Sequence, residues 1–554
     1  MNHLAGIGSV RLAPRRWAWA GYALLAVTAA TALCLLFPLW FRDDDGAFLR
    51  FAAQQPLSAA FRPQTGSVQG FFRPVSVAAF WLAYRAFGWT YWPYQFGQVL
   101  ITFGILAAFH AMLRAMWGRP WPALAAAAIH PLAFSGLYYF TFRFSQVNYQ
   151  LELLLGFAAA GLGAAGWRRR SAPLLAAALL VTELAYGAKE PSCVWLPILQ
   201  AWSAIVLGRR AGATWKPVAL FLAALAALTA WHLWLVRGHF TLQALGGQVA
   251  LTPEFIWQRV AYYSSILRQG TSGVALAALG ALACGAQAAR WKAPGPWRVA
   301  GVLAAASAAG AVSYLLHPLP AVVAASAAVV PAWPFALGAT ALLAMIAQLE
   351  PMWAIYILQA SWLMVAALVA AIAFSPLPAA AGRARAALRA KAGLDLRWLA
   401  AAACLPLVLA GAPKALRMVQ ALEATSCRRC LAGNLTMSLA ATLPLHSRLA
   451  LAVWEDIGTT HQQQHGQEYL QRADALIQWY PGVYQELLSA LGRPDIVVVT
   501  YGDLQRPEGF VLATSLYEMD AARALFARLG APMPPPLVSC RQGRQRGALW
   551  MLGK

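Results

Sequence analysis

The chain has 554 residues, of which 60% are hydrophobic and only 11% are charged, whereas a soluble protein carries about 25% charged residues. This composition excludes an ordinary soluble globular protein and predicts an all-α polytopic membrane protein. The net charge of +23 comes from basic clusters that lie between apolar runs. Such clusters indicate topology and contact with anionic membrane lipids, and they do not indicate binding of nucleic acid.

The first apolar run, residues 17–40, is followed by three consecutive aspartates, Asp43, Asp44 and Asp45. The run exceeds the roughly 20 residues that one membrane span needs, and the basic residues before it predict a cytoplasmic N-terminus. Carboxylates at the mouth of a span are costly to desolvate. Capping of a following helix is the structural alternative, worth about 0.3–1 kcal/mol for one negative charge. Because three carboxylates exceed that need, we interpret the triplet as a source of a catalytic base for a hydroxyl group.

Residues 41–93 are predicted to form a long external loop rich in aromatic residues, with two short surface helices over 44–53 and 75–87. The loop contains Arg62 and Arg73, and Arg143 lies in a later external turn. A guanidinium group can hold phosphate oxygens in a bidentate manner, and aromatic faces can cover a sugar or a prenyl chain. This part of the chain therefore predicts binding of a phosphate-bearing lipid.

Further spans follow in an order in which each return to the cytoplasmic side ends at basic residues. They are predicted at about 94–117, 120–139, 148–167, 172–188, 191–208, 216–236, 265–289 and 299–316. A second external loop is predicted over 237–264. Residues 317–350 form either one crossing or a segment that begins and ends outside, as a re-entrant segment or a tight helical pair. Further apolar stretches lie at about 321–348, 352–376 and 398–413, and the total is 11 to 13 transmembrane helices.

Lys189 and Glu190 are adjacent charges at the outer end of the fifth predicted span. Neighbouring residues diverge on a helix, so the two are expected to serve separate partners. Lys189 is a candidate to bind phosphate, with interfacial snorkelling as the alternative, and Glu190 could orient that phosphate or an arginine. His317, flanked by prolines, is a further candidate for contact with substrate. Glu152 is costly because it falls inside an apolar run.

The chain is predicted to divide into a transmembrane domain over 1–413 and a small α or α/β soluble domain over 414–554 on the external side. Within the latter, residues 495–500 predict a buried strand around a run of isoleucine and valine.

Three cysteines of the C-terminal region, Cys427, Cys430 and Cys540, favour an external disulfide over a zinc site, since a second CxxC is missing. No metal site is predicted, and the glycine motifs that bind nucleotides are absent from the sequence.

The order of these motifs resembles the GT-C superfamily of membrane glycosyltransferases, in particular the branch that contains the protein O-mannosyltransferases. Four motifs carry the resemblance, which covers about residues 17–205: Asp43-Asp44-Asp45, Arg73-Pro74, His130-Pro131-Leu132, and Lys189-Glu190-Pro191 with the downstream Trp195-Leu196-Pro197. In the turn where that branch usually has an acid, this chain has Gln146 or Asn148.

The resemblance implies transfer of a sugar from a polyprenyl-phosphate donor to a hydroxyl acceptor in a protein, lipid or glycan. The site would face the periplasm or exterior of a bacterial inner (plasma) membrane. Asp44 matches the family's general base best, with Asp45 next and Asp43 third. A divalent metal is compatible with this chemistry but not required, because arginine and lysine can neutralise a monophosphate leaving group. Two alternatives stay open: a lipid or glycan transporter or flippase, and an inactive scaffold of the same fold.

Overall fold

The computed structural model describes about two thirds of the chain, which is mainly helical with few strands. The described residues are 45–68, 71–88, 90, 92–134, 144, 147–236, 252–268, 270–289, 295–346, 357–375, 443, 445–451, 481–500, 511–515, 519–536, 538–542 and 545–552. They divide into two compact units. One contains the described residues of 99–134 and 148–375, and the other contains those of 45–98, Phe144, Val147 and 443–552. The first predicted span and the predicted boundary at 413 and 414 lie outside the described residues, so both stay predictions.

Most helices of the first unit lie at the positions of predicted spans. They are α3 (Trp92–Trp117, whose first residues count with the second unit), α4 (Pro120–Ala133), α5 (Val147–Arg169), α6 (Ala172–Ala188), α7 (Ser192–Trp202, continued by a π-helical turn over Ser203–Gly208), α8 (Trp215–Val236), α9 (Pro253–Arg268), α10 (Gly270–Ala288), α11 (Gly295–Leu315), α12 (Leu319–Ser326), α13 (Trp333–Ile346) and α14 (Ile357–Ala373). Helices α1 (Asp45–Gln54) and α2 (Pro74–Phe87) precede them in the second unit, with a 3₁₀ turn at Leu57–Phe61 and a single helical turn at Pro63–Gly66 between them. The helical character of the predicted spans is confirmed where the structure describes them.

Two described helices, over Pro93–Trp117 and Trp215–Val236, are long and apolar enough to cross a membrane, and six shorter helices are also apolar. Core helices of soluble proteins can pass the same test of length and composition. The polytopic arrangement and the number of spans therefore stay predictions.

One stretch differs from the sequence prediction, and at a second the structure bears on alternatives that the sequence left open. Residues 253–264, predicted as part of an external loop, belong to helix α9. Polar and charged residues in this helix lower its hydropathy, so no apolar run marks it in the sequence. The apolar run after His317 is broken into α12 and α13 by a 3₁₀ turn at Val330–Ala332, which contains Pro331. At 1.5 Å per residue α13 is about 21 Å long, less than the roughly 30 Å of a hydrocarbon core. The structure thus favours a segment that begins and ends on one side, as a re-entrant segment or a helical pair, over a single continuous span.

The second unit contains a five-stranded mixed sheet in the order β4-β3-β5-β7-β6. A separate short hairpin is formed by β1 (Ser67–Val68) and β2 (Phe71–Phe72). The sheet strands are β3 (Arg448–Leu451), β4 (Val497–Thr500), β5 (Val511–Ser515), β6 (Val538–Gln542) and β7 (Gln545–Leu552). Strand β3 is parallel to β4 and β5, and β7 is antiparallel to β5 and β6. Of the two predicted alternatives, the C-terminal region is therefore α/β, and the predicted strand at 495–500 is confirmed as β4.

Helices α1 (Asp45–Gln54) and α2 (Pro74–Phe87) confirm the two helices predicted in the first loop. Their apolar faces pack against each other and, for α1, against helix α15 (Pro481–Ala490), which precedes β4; helix α16 (Met519–Arg528) follows β5. Leu49 is fully buried, and the rings of Phe48 and Phe80 lie 5.2 Å apart. Protein therefore covers the face of α1 whose pattern had predicted a helix lying on the membrane surface.

Candidate functional site

A cluster of buried polar side chains lies in the first unit where α5, α6, α7 and α14 meet. Its charged members are Glu152 of α5 and the pair Lys189 and Glu190 between α6 and α7, which are only 0%, 3% and 8% exposed. Buried charges persist only where they are paired or hydrogen-bonded, because desolvation is otherwise too costly. The hydrogen bonds and electrostatic contacts of each charged side chain therefore limit which ligands the cluster can bind.

Both oxygens of Glu152 are held by hydrogen bonds. Oε1 accepts the indole N–H of Trp195 at 3.0 Å, and Oε2 accepts an N–H of Gln359 at 2.9 Å. The two donors come from α7 and α14, so the carboxylate joins three helices. Hydrogen bonds to a charged group are worth about 1.5–3 kcal/mol each, which helps to offset the burial of the charge.

Lys189 lies at the junction where helix α6 ends. Its N–H still bonds the carbonyl of Ala185 at 3.2 Å, but its backbone is extended, and its carbonyl accepts the hydroxyl of Ser192 at 2.7 Å. The ammonium Nζ lies 3.8 Å from the ring centroid of Tyr149, a cation–π contact. Lys189 and Glu190 are also close enough to Glu152 to interact electrostatically with its carboxylate. The lysine is thus fixed at a helix junction with its charge in the buried cluster.

The three formal charges sum to −1 when all are ionised. This net negative charge opposes an anion, so an attraction for phosphate can come only from the Lys189 ammonium, which is a compact point charge with three donors. The same set of groups can also hold a proton or a cation. Among the described residues, no group of three or more histidines, cysteines, aspartates or glutamates could hold a metal ion.

The second unit contains three of the predicted site residues. Asp45 is fully buried as the first residue of α1, a position that the helix dipole favours for a carboxylate, and it lies close enough to Tyr94 to interact with it electrostatically. Arg73 precedes α2, with its guanidinium carbon 4.3 Å from the ring centroid of Phe71. Arg62 is exposed at the end of a 3₁₀ turn. The predicted catalytic and phosphate-binding roles of these residues stay predictions.

Asp43, Asp44 and Arg143 lie outside the described residues. Of the predicted site residues, the structure therefore brings Lys189 and Glu190 together with Glu152 in the first unit. It places Asp45, Arg62 and Arg73 in the second unit.

Two histidines that stood out in the sequence have local contacts. His317 accepts the N–H of Leu319 at Nδ1, at 2.9 Å, where α12 begins. His130 is fully buried and stacks on Trp362 with ring centroids 3.6 Å apart. Its Nε2 lies 2.8 Å from Oγ of Ser361, whose hydroxyl already donates to a backbone carbonyl. Nε2 therefore carries the proton and donates it to Ser361, which is typical of a packed histidine.

Three members of the cluster were missed by sequence reasoning as site residues: Tyr149, Trp195 and Gln359. Gln359 had a signal, since it is the one amide in the apolar helix α14. Trp195 stood in the fourth motif of the resemblance but was given no role there. Tyr149 had no signal, because an aromatic residue at the end of an apolar run is common in membrane helices.

No protein-family model matches the sequence, and no curated protein matches it. The resemblance to the GT-C superfamily therefore rests on the four sequence motifs alone.

Proposed function

We propose that the chain is a multi-pass membrane glycosyltransferase that moves a sugar from a polyprenyl-phosphate donor to a hydroxyl acceptor on the external face of a bacterial inner membrane. The observation that carries the proposal is the buried cluster of Lys189, Glu190 and Glu152. It lies at the ends of α5 and α6 that the positive-inside pattern assigns to the external side. A lysine fixed at this level is suited to hold the phosphate of a lipid whose chain runs along the helices.

The proposed reaction is an inverting displacement at the anomeric carbon of the sugar. Asp44 or Asp45 takes the proton of the acceptor hydroxyl, the acceptor oxygen forms a bond to the anomeric carbon, and the bond from that carbon to the phosphate oxygen breaks. The polyprenyl phosphate leaves with the bonding electron pair. A positively charged lysine or arginine side chain stabilises the negative charge on the leaving group.

The test is a mass-spectrometric profile of envelope glycans and glycoproteins from cells that carry the wild-type chain, a deletion, Asp44→Asn, Asp45→Asn or Lys189→Gln. We expect one sugar to be lost in the deletion strain and in at least one aspartate variant, and to be reduced by Lys189→Gln. Glu486→Gln is the matched control, because Glu486 is a partly exposed acid of the second unit that pairs with Arg50 at 3.6 Å. If the sugar is lost only in the deletion strain, the general-base assignment is wrong and a transporter or an inactive scaffold is favoured.

A transporter or flippase is the second candidate, favoured by a pair of ionisable groups inside two predicted spans. Nδ1 of His232 in α8 lies 3.2 Å from Oε1 of Glu183 in α6, and His232 is only 1% exposed. Ionisable residues at membrane depth often mark proton or ion pathways. Reconstituted vesicles with a labelled polyprenyl-phosphate sugar separate the two functions. Movement of intact lipid between leaflets that Glu183→Gln abolishes favours the transporter, and sugar transfer that this variant leaves intact favours the enzyme.

A further inference from the structure

A groove of about 730 Å³ lies between α3 and α5 in the first unit. One face of each helix lines it, mostly with small or apolar side chains. The lining residues are Ala108, His110, Ala111, Met112, Arg114 and Ala115 of α3, Gly118 directly after α3, and Phe157, Ala158, Gly161, Leu162, Ala165, Arg168 and Arg169 of α5. The groove exists because small residues recur at helical spacing on both faces. Gly161 brings α5 so close to α3 that a Cβ there would lie 3.3 Å from the Cα of Met112.

The charged groups of the groove are all at one end. Arg114 lies in the last turn of α3, and Arg168 and Arg169 lie in the last turn of α5. Arg168 donates to the carbonyl of Met116 at 3.0 Å, which holds its guanidinium across the end of the groove beside Gly118. Among the described residues, none of these three arginines forms an ion pair. Arg210 is near enough to add like-charge repulsion to Arg168. The end of the groove therefore carries an excess of positive charge.

The length of the groove matches one leaflet of a bilayer. From Phe157 to Arg169 the α5 lining covers twelve residue steps, or about 18 Å at 1.5 Å per residue, against about 15 Å for half of a 30 Å hydrocarbon core. Its apolar part thus has the depth of an acyl chain, and its arginines have the level of a headgroup. Basic pockets between helices on the cytoplasmic side are a known form of lipid recognition.

We propose that this groove binds an anionic glycerophospholipid, with the phosphate at Arg114, Arg168 and Arg169 and an acyl chain between α3 and α5. The site lies at the ends of α3 and α5 that the sequence assigns to the cytoplasmic side, opposite to the Lys189 cluster at the other end of α5. The proposal rests on the membrane placement of the proposed function, and it is independent of the reaction. Charge complementarity selects an acidic headgroup over a zwitterionic one.

The test is native mass spectrometry of the full chain in detergent, titrated with phosphatidylglycerol or with phosphatidylcholine of the same acyl chains. We expect one retained phosphatidylglycerol at concentrations where phosphatidylcholine is not retained. Arg114→Gln together with Arg169→Gln is expected to weaken phosphatidylglycerol binding about 30-fold, the equivalent of about 2 kcal/mol at about 1 kcal/mol for each arginine. The matched control, Arg209→Gln with Lys216→Gln, removes two positive charges that do not line the groove and should change binding less than threefold.

A second variant tests the groove without touching a charge. Ala165→Leu fills the apolar part and should weaken binding of phosphatidylglycerol at least tenfold, even if the arginine variant fails to fold. Equal retention of the two lipids, an unchanged affinity in either groove variant, or an equal loss in the control would overturn the proposal. Displacement by millimolar inorganic phosphate would also overturn it, because the site would then hold a soluble anion. A wild-type chain that retains no lipid would show that another segment or a second copy fills the groove.

The readout is separate from glycosyl transfer. Asp45→Asn is expected to keep the bound lipid whether or not it loses transfer. Failure of the chain to remain in membranes after alkaline extraction would instead contradict the membrane placement on which both proposals rest.

Discussion

Gly156 is the position at which the smallest change should disturb the buried charge cluster. A Cβ at this residue would lie 2.6 Å from Cζ2 of Trp195 and closer still to Cη2. Trp195 is 1% exposed, and its indole N–H donates to Glu152 one turn before Gly156. The ring cannot move away into solvent, so in Gly156→Ala it must shift against its neighbours and weaken its hydrogen bond to the carboxylate.

The expected loss of stability combines three effects. Overpacking of a filled core costs about 1–3 kcal/mol, and loss of a hydrogen bond to a charged group costs about 1.5–3 kcal/mol. Alanine is favoured over glycine inside a helix by about 1 kcal/mol, which offsets part of the loss. Gly156→Ala should therefore destabilise the protein by about 2–5 kcal/mol, which lowers the unfolding midpoint by roughly 4–20 °C for a unit of this size.

Thermal unfolding of the full chain in detergent measures this effect. Gly310→Ala is the control, since a Cβ at Gly310 in α11 would meet Cβ of Ala281 at 3.4 Å, an ordinary contact, and the midpoint should stay the same or rise. Gly156→Ala combined with Trp195→Phe should lose less stability than the sum of the two single changes, because the shorter ring relieves the clash. A midpoint for Gly156→Ala equal to or above that of the wild type would refute the reasoning.

Two further predictions concern single interactions. Arg493 donates two hydrogen bonds to Asp495, at 2.8 and 2.9 Å, and these hold the pKa of Asp495 below its usual value near 3.8. The ionised Asp495 therefore stabilises the folded state fully at neutral pH, and this stabilisation is lost as pH falls below about 4 through the folded pKa. Asp495→Asn should make the C-terminal strands more sensitive to proteolysis at pH 7 than in the wild type, and the difference should shrink at pH 3; a difference that is equal at both pH values would contradict the ion pair. Ser361→Ala removes a hydrogen-bond partner of buried His130 and should lower the free energy of unfolding by about 1–3 kcal/mol, measured by thermal unfolding. Thr340→Ala loses only a hydrogen bond within its own helix and should cost less. Equal losses would show that the contact between His130 and Ser361 contributes little.

The helices were the most predictable part of the fold, because apolar runs and helix-ending residues are local signals. The run over 172–188 predicted α6 to the residue, with Pro173 in its first turn and the charged pair Lys189 and Glu190 after its last. Helix α9 was not predicted, because its polar residues interrupt any apolar run. Four strands of the C-terminal sheet were missed as well, because only β4 contains an unbroken β-branched run.

The candidate site was predictable only in part. The cost of burying Glu152 in an apolar helix was visible in the sequence, and so was the unusual charge pair at residues 189 and 190. The partner Gln359 comes from 207 residues further along the chain, and no local pattern indicates which helices meet. The cation–π contact between Lys189 and Tyr149 depends on that same packing.

The packing of α1 against α15 has a consequence for the order of events during synthesis. The two helices are separated by 427 residues, so at about 5–20 residues per second roughly 20–90 s pass between their emergence from the ribosome. Throughout that time the apolar side chains of Phe48 and Leu49 have no partner in α15. The nascent chain would need a chaperone or the lipid surface to shield them, and a premature stop codon before residue 481 would leave the surroundings of Asp45 permanently incomplete. Nonsense variants that keep every predicted span are therefore expected to accumulate poorly.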